Sequence, residues 1–275
     1  MRHIDVTPVL AAEVVEIARE AGAAIMHIYA KLRIGGTGVE AVGVTRKNDG
    51  SPLTQADIEA HQIISQRLLA LMPGIPVVSE EDELSMDYRL PSGNFWLIDP
   101  LDGTKEFLAQ NGEFTVNIAL VKDGKAVLGV VVAPALAQAY WGGDGLGALR
   151  EIDGCVETIR VAKPAAAARP VRVLASKSHM NAATVEFINK LGTCELVQVG
   201  SSLKFCRLAE GSADVYPRLG PTCEWDTAAA QAIVEAAGGH VTTLDGAPLR
   251  YGKPDVLNPH FVASGAPLPE LLKRQ

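Results

Sequence analysis

The chain has 275 residues, of which 48% are hydrophobic and 21% charged, and a formal net charge of −7. That is the composition of an ordinary globular protein with room for one large domain or two smaller ones. The acidic excess excludes a general nucleic-acid binder, which needs a basic face. A phosphorylated small molecule stays open, because cations held within a site can reverse the local field.

Asp5, Glu13, Glu16 and Glu20 stand where the apolar core of a signal peptide would lie. No stretch reaches the ~18–20 apolar residues of a membrane helix. A cytoplasmic protein without a transmembrane segment is expected, with peripheral contact to the inner membrane left open. Cys155, Cys194, Cys206 and Cys223 show no paired or zinc-like spacing and read as free thiols of a reducing compartment.

Leu10, Val14, Ile17, Ala21, Ile25 and Ile28 recur at intervals of three and four. They predict an amphipathic helix over 7–32, ended by the glycines of 35–38. Residues 39–45 alternate like a strand. A second helix is predicted over 54–71, with Ile58, Ile63, Ile64, Leu68 and Leu69 on its apolar side and Pro73-Gly74 closing it. Short apolar strands at 75–79 and 94–99 run into acidic residues, with a polar loop over 80–93 between them. Residues 114–132 read as two strands around Lys122-Asp123-Gly124, and β character continues through 139–154. The Ala- and Pro-rich stretch 163–170 looks like a boundary. Beyond it come a strand at 171–175, a helix at 180–191, a strand at 194–199 and a helix at 202–210. A strand within 213–219 follows, then a helix stopped by Gly238-Gly239. The pattern predicts an α+β unit with an antiparallel sheet over 1–168 and an α/β unit over 169–275.

Acidic residues gather at element ends: Asp57, Glu80-Glu81-Asp82, Asp99 with Asp102, and Asp226. Alone, Asp57 and Asp226 read as capping acids that complement a helix dipole, and Thr54-x-x-Asp57 as a variant capping box. Asp99 and Asp102 are different. The apolar run Phe95–Ile98 brings Asp99 to the edge of a core, where an unpaired carboxylate is costly, and Pro100 holds Asp99 extended. Two carboxylates and an intervening backbone carbonyl can then converge on one point, a donor set that suits Mg²⁺. Gly103-Thr104 adds a backbone open to close approach, N–H groups for an anion, and a hydroxyl. Together these describe metal-assisted phosphoester hydrolysis. A nucleophilic-aspartate phosphatase has a single residue between its two aspartates, whereas here there are two, Pro100 and Leu101.

The segments SEED (79–82), DPLDGTKEF (99–107), NGEFTVNIAL (111–120) and EWDTAAAQAIVEAAGG (224–239) resemble, in order, the inositol monophosphatase superfamily. The ending TKEF and the third segment look most like its CysQ-type 3′(2′),5′-bisphosphate nucleotidase branch. The resemblance implies an α/β fold layered as an αβαβα sandwich of the inositol monophosphatase and fructose bisphosphatase type. It implies two to three Mg²⁺ ions on Glu80, Asp99, Asp102, Asp226 and the Leu101 carbonyl. Asp57 and Thr104, with Glu80 assisting, would activate a water, and the Gly103 and Thr104 N–H groups would hold the scissile phosphate. By the same resemblance LASKSH (174–179), GSSLKFC (200–206) and DVYPRL (214–219) would place His179, Ser201, Lys204 and Arg218 at the nucleotide, with Asp226 of the fourth segment beside them. On their own, Lys204 reads as a solvated helix residue and His179 as a cap neighbour, and Ser201 is not separated from Ser202.

The expected reaction is removal of the 3′-phosphate of adenosine 3′,5′-bisphosphate, with the sulfated nucleotide as a second substrate. Hydrolysis of inositol phosphates or fructose 1,6-bisphosphate on the same metals is the alternative, and an idle nucleotide-binding protein a more distant one. The resemblance further implies Li⁺ sensitivity and a role in sulfur assimilation, and leaves monomer against homodimer open.

Overall fold

The computed structural model describes residues 4–34, 44–46, 52–163, 169–175 and 180–272. Helix α1 (Pro8–Ile34) buries Val14, Ile17, Ala21, Ile25 and Ile28 along one stripe, the face its periodicity predicts. A short antiparallel pair, β1 (Thr45–Arg46) and β2 (Pro52–Leu53), leads to α2 (Gln55–Leu71). Here the sequence reading needs correction. The buried stripe of α2 is Ala56, Ala60, Ile64 and Leu68, while Ile58 and Leu69 are exposed. Ala56, Ala60, Ile64 and Leu68 share one core cluster with Val14, Ile17 and Ile25 of α1 and Trp96 and Ile98 of β4, so the seat of α2 on these elements selects the stripe. The strand expected at 39–45 and the glycines at 35–38 lie outside the described residues, apart from 44 and 45.

A seven-stranded sheet follows, built from β3 (Val77–Ser79), β4 (Asn94–Asp102), β5 (Thr115–Lys122), β6 (Lys125–Ala133), β7 (Gln138–Gly143), β8 (Gly147–Ile152) and β9 (Cys155–Ile159), in that spatial order. β3 runs parallel to β4, and every other neighbour is antiparallel. The loop expected over 80–93 contains a 3₁₀ helix, Glu83–Tyr88, and a short helix α3 (Thr104–Leu108) follows β4. Alternation along β4 divides two cores. Trp96 and Ile98 face α1 and α2, whereas Phe95 and Leu97 face the opposite side.

The rest of the chain forms β10 (Val171–Ala175), α4 (Ala182–Asn189), β11 (Cys194–Gln198), α5 (Leu203–Ala209), β12 (Val215–Arg218), α6 (Ala228–Ala236), β13 (His240–Thr243), β14 (Phe261–Ser264) and α7 (Leu268–Leu272). Its five strands lie in the order β11-β10-β12-β14-β13. β10 pairs parallel with β11 and β12, but β14 is antiparallel to both its neighbours. Helices α5 and α6 lie between the two sheets, and α4 and α7 cover the far side of the smaller one. The layers therefore run α, β, α, β, α. One core cluster includes Phe95 and Val131 of the large sheet, Ala229 and Ile233 of α6, and Phe261 of the small sheet, so the layers share apolar burial.

Close approach of α6 to the large sheet positions the site. A Cβ on Gly129 of β6 would lie 1.9 Å from the carbonyl oxygen of Ala229, so only glycine allows this contact. The run Ala228-Ala229-Ala230 is buried against it. Among the described residues no helix is long and apolar enough to cross a membrane, and all four cysteines are free thiols.

Candidate active site

Asp57 comes from the first turn of α2 and is 1% exposed. The Thr54 N–H and hydroxyl donate to its Oδ2 (2.8 and 2.6 Å), and the Ala56 N–H donates back to the Thr54 hydroxyl. The capping box expected from Thr54-x-x-Asp57 is present. It does not exhaust the carboxylate, because Thr104 Oγ1, at the start of α3, donates to Asp57 Oδ1 at 3.3 Å. Capping fixes the side chain, and the second oxygen is turned into the site.

Glu80 follows the end of β3 and is held by its own N–H donating to the Ile98 carbonyl (3.3 Å). Asp99 lies at the end of the straight part of β4, 2% exposed and on the same face as Phe95 and Leu97. Pairing with β5 then shifts. Asp99 faces Asn117 and Asp102 faces Thr115, three residues against two. Such a bulge re-aims side chains, and here it brings Asp102 round to the face that Asp99 already occupies, within reach of Thr115 and Asn117. The Leu101 N–H donates to Asp99 Oδ1 at 3.1 Å, while the Leu101 carbonyl lies 3.4 Å from Thr104 Oγ1. Asp226 closes a 3₁₀ turn, Glu224–Asp226, and α6 begins two residues later, so Asp226 precedes the helix rather than opening it. Its Oδ2 accepts the Cys223 N–H at 2.8 Å.

Glu80, Asp99 and Asp226 each offer an oxygen within 4.8 Å of the others. Burial raises the pKa of Asp226, and Asp102 and Glu80 raise it further against the Cys223 N–H and Arg218. Asp102 stands beside this trio. Its Oδ2 accepts from the Ser202 N–H (2.5 Å), Asn117 Nδ2 (3.4 Å) and the Thr115 hydroxyl (3.5 Å). Burial also raises its pKa, opposed by Lys204 and the Ser202 N–H. Crowded carboxylates whose protons are held this firmly call for positive charge, and a set of hard oxygens fits a divalent cation such as Mg²⁺.

Asp102, Gly103, Ser201, Lys204, Arg218 and Asp226 line one cavity, so residues predicted from both halves of the chain converge. Gly103 has φ +93°, and a Cβ there would sit 3.2 Å from Glu106 Oε2 and 3.3 Å from Ser201 Cβ. Ser201 and Ser202 both line the cavity and differ in their bonds. The Ser202 hydroxyl donates to Asn117 Oδ1 (2.7 Å) and lies 2.8 Å from the Thr115 hydroxyl, which ties α5 to β5. Ser201 takes φ +45° and lies at the cavity wall.

Lys204 is not the solvated helix residue its sequence position suggests. It is 7% exposed, its ammonium donates to the Ser201 carbonyl (2.7 Å), and it lies 5.6 Å from the centre of the Tyr216 ring. Burial lowers its pKa to about 8, even though Asp102 favours the charged form. Arg218 donates through Nη2 to the Pro221 carbonyl (2.8 Å), whereas its buried Nε has no partner. His179 lies outside the described residues.

Sequence reasoning missed Thr115 and Asn117. Both share the face of Ala119 and Val121 on a strand buried on both sides, so two inward polar residues in an apolar run were the available signal. It also missed Glu113, whose Oε2 accepts the Gly200 N–H at 2.7 Å and fixes the start of the serine loop.

Layered in this way, with oxygen donors crowded between β4 and the turn before α6, the molecule has the build of a metal-dependent phosphatase. The chain belongs to the inositol monophosphatase family, whose model matches residues 5–273. Enzymes of this family are metal-dependent, typically on Mg²⁺. The chain is 47% identical to the 3′(2′),5′-bisphosphate nucleotidase CysQ of Salmonella typhimurium over 90% of its own length and 97% of that protein's. It is 40% identical to the CysQ of Buchnera aphidicola, over 92% of each chain. The crystal structure of CysQ from Bacteroides thetaiotaomicron superposes with a TM-score of 0.79 at 38% identity, covering 94% of this chain and 98% of that one.

Proposed function

We propose that the chain is a Mg²⁺-dependent 3′(2′),5′-bisphosphate nucleotidase that hydrolyses adenosine 3′,5′-bisphosphate to AMP and phosphate by direct attack of water. The observation that carries this is that Asp102 and Asp226 line the same cavity as Lys204 and Arg218, so that acidic and basic side chains meet there. The CysQ relatives lend the substrate. Glu80, Asp99, Asp102, Asp226 and the Leu101 carbonyl would hold two to three ions, which when bound neutralise these oxygens, acidify water and stabilise the leaving oxygen.

The chain's own residues do the rest. Thr104 donates a hydrogen bond to Asp57 Oδ1 and keeps its proton, which leaves the hydroxyl oxygen's lone pairs to orient the attacking water. Asp57, with Glu80 assisting, takes up the proton that this water loses. The Gly103 and Thr104 N–H groups receive the scissile phosphate, at a turn that only glycine enters without strain. Lys204 and Arg218, whose Nε lacks a partner, suit the remaining 5′-phosphate, and Ser201 and His179 complete the nucleotide contacts. In this reading residues 1–168 supply most metal ligands, and 169–275 supply Asp226 and the nucleotide contacts. The enzyme works in the cytoplasm, as monomer or homodimer.

Phosphate release from adenosine 3′,5′-bisphosphate, inositol 1-phosphate and fructose 1,6-bisphosphate, compared side by side with and without Mg²⁺, tests the assignment. A large preference for the nucleotide is expected. Equal or faster turnover of inositol 1-phosphate would keep the metals and discard the nucleotide.

A further inference from the structure

Glu224 is a fully buried carboxylate that none of these steps uses. Its Oε2 accepts the Gly252 N–H (2.8 Å) and lies 3.2 Å from Arg89 Nη1; its Oε1 accepts the Lys253 N–H (3.1 Å) and the Lys253 ammonium. Arg89, with a side chain 7% exposed, also donates to the Lys253 carbonyl at 2.5 Å. Three segments far apart in sequence meet here. Backbone packing shows the same junction independently: Gly252 has φ +75°, and a Cβ on it would lie 2.7 Å from the Leu90 carbonyl.

Each side of this junction leads to a candidate metal ligand. Glu224 and Asp226 share one 3₁₀ turn, closed by Thr227 N–H to the Glu224 carbonyl (3.3 Å). Arg89 ends the 3₁₀ helix Glu83–Tyr88, its N–H donating to the Met86 carbonyl. That helix is bonded back to both flanks of Glu80. The Ser79 N–H donates to Ser85 Oγ (3.1 Å), and Ser85 Oγ donates to the Asp82 carbonyl (2.6 Å). Hydrogen bonds and ion pairs, carried through the 3₁₀ helix, therefore join the Glu80 loop to the Asp226 turn, two segments that bring like charges together.

We infer that Glu224, with Arg89 and Lys253, is a positioning hub that sets the spacing of Glu80 and Asp226 and thereby the affinity for the divalent cation. The inference rests on reading Glu80, Asp99 and Asp226 as metal ligands. Glu224 touches no reacting atom in this account. Its removal should loosen the metal site and leave the chemistry of a metal-saturated enzyme largely intact.

The test is calorimetric titration of the full chain with Mg²⁺ alone, together with the Mg²⁺ dependence of kcat. In Glu224→Gln the half-saturating Mg²⁺ concentration should rise by about tenfold or more, the range seen when supports behind metal ligands are removed. At saturating Mg²⁺, kcat should return to within a few-fold of the unaltered chain. Arg89→Lys should rescue affinity relative to Arg89→Met. Lys253→Met, at the more exposed side of the hub, gives the same readouts if Glu224→Gln does not fold. Folded variants that bind Mg²⁺ as tightly as the unaltered chain, with only a lower Tm, would overturn the hub and leave a purely structural ion pair. If the unaltered chain itself shows no Mg²⁺ binding, it is the metal reading that fails.

Discussion

Replacing Asp226 by Asn should make the metal-free protein more stable while destroying its activity. Glu80, Asp99 and Asp226 bring oxygens within 4.8 Å of one another. At that distance two unit charges repel by about 3.5 kcal/mol at an effective dielectric constant of about 20. Asp226 has two such neighbours, and burial, joined by the charges of Asp102 and Glu80, raises its pKa. Asn keeps the shape and the acceptor for the Cys223 N–H but removes the charge. In EDTA at mildly alkaline pH, the gain should be about 3 kcal/mol, or about 6 °C in Tm for a chain of this size. The sign with pH follows from linkage. A carboxyl whose folded pKa is raised contributes stability that is full below the ordinary carboxylate range and lost as pH rises through the folded value. The advantage of Asp226→Asn should therefore shrink as pH falls toward about 4. Saturating Mg²⁺ should reverse the order, since the unaltered chain gains binding energy that the variant lacks. Scanning calorimetry in EDTA and in Mg²⁺ reads both. A variant less stable than the unaltered chain in EDTA at alkaline pH would refute the picture of mutually repelling carboxylates.

Other consequences can be checked in parallel. Asp57→Asn and Thr104→Val should each lower kcat by roughly 10²–10⁴ with Mg²⁺ binding by calorimetry nearly unchanged, the mark of lost proton handling. Lys204→Met should raise KM for adenosine 3′,5′-bisphosphate about tenfold or more and affect inositol 1-phosphate far less. In the unaltered chain KM for the nucleotide should climb above about pH 8, where Lys204 gives up its proton. Gly103→Ala meets both the positive φ and the nearby Glu106 and Ser201 atoms, so urea unfolding should show a loss of about 1–2 kcal/mol together with a marked fall in kcat.

The legible parts of this site are those encoded locally. Asp57 announces itself through Thr54 three residues earlier, and Asp99 through an apolar run that ends in an acid before proline. The β5–β6 hairpin is marked by its Lys-Asp-Gly turn. What escaped depends on distant partners. Whether Lys204 is solvated or buried is decided by Tyr216 and the fold of the serine loop, not by its place in α5. The separation of Ser201 from Ser202 depends on Asn117, 85 residues from Ser202. Glu224 reads as one more acid beside a known motif until Arg89, from before β4, and Lys253, from beyond β13, are seen to close on it. Strands β13 and β14 pair with each other across residues 244–260, a long-range register that local pattern does not carry. The outward turn of Ile58 and Leu69 is fixed by how α2 lies on α1 and β4, which periodicity alone leaves ambiguous over a helix with little contrast between its faces.

If the proposed function holds, one cavity receives both the cations and the nucleotide. A crystal structure with Mn²⁺ and adenosine 3′,5′-bisphosphate tests it most directly. Anomalous peaks should be coordinated by Glu80, Asp99 and Asp226, with the 3′-phosphate against Gly103 and Thr104 and the 5′-phosphate near Lys204 and Arg218. Mn²⁺ bound elsewhere, or a nucleotide seated away from this cavity, would contradict it.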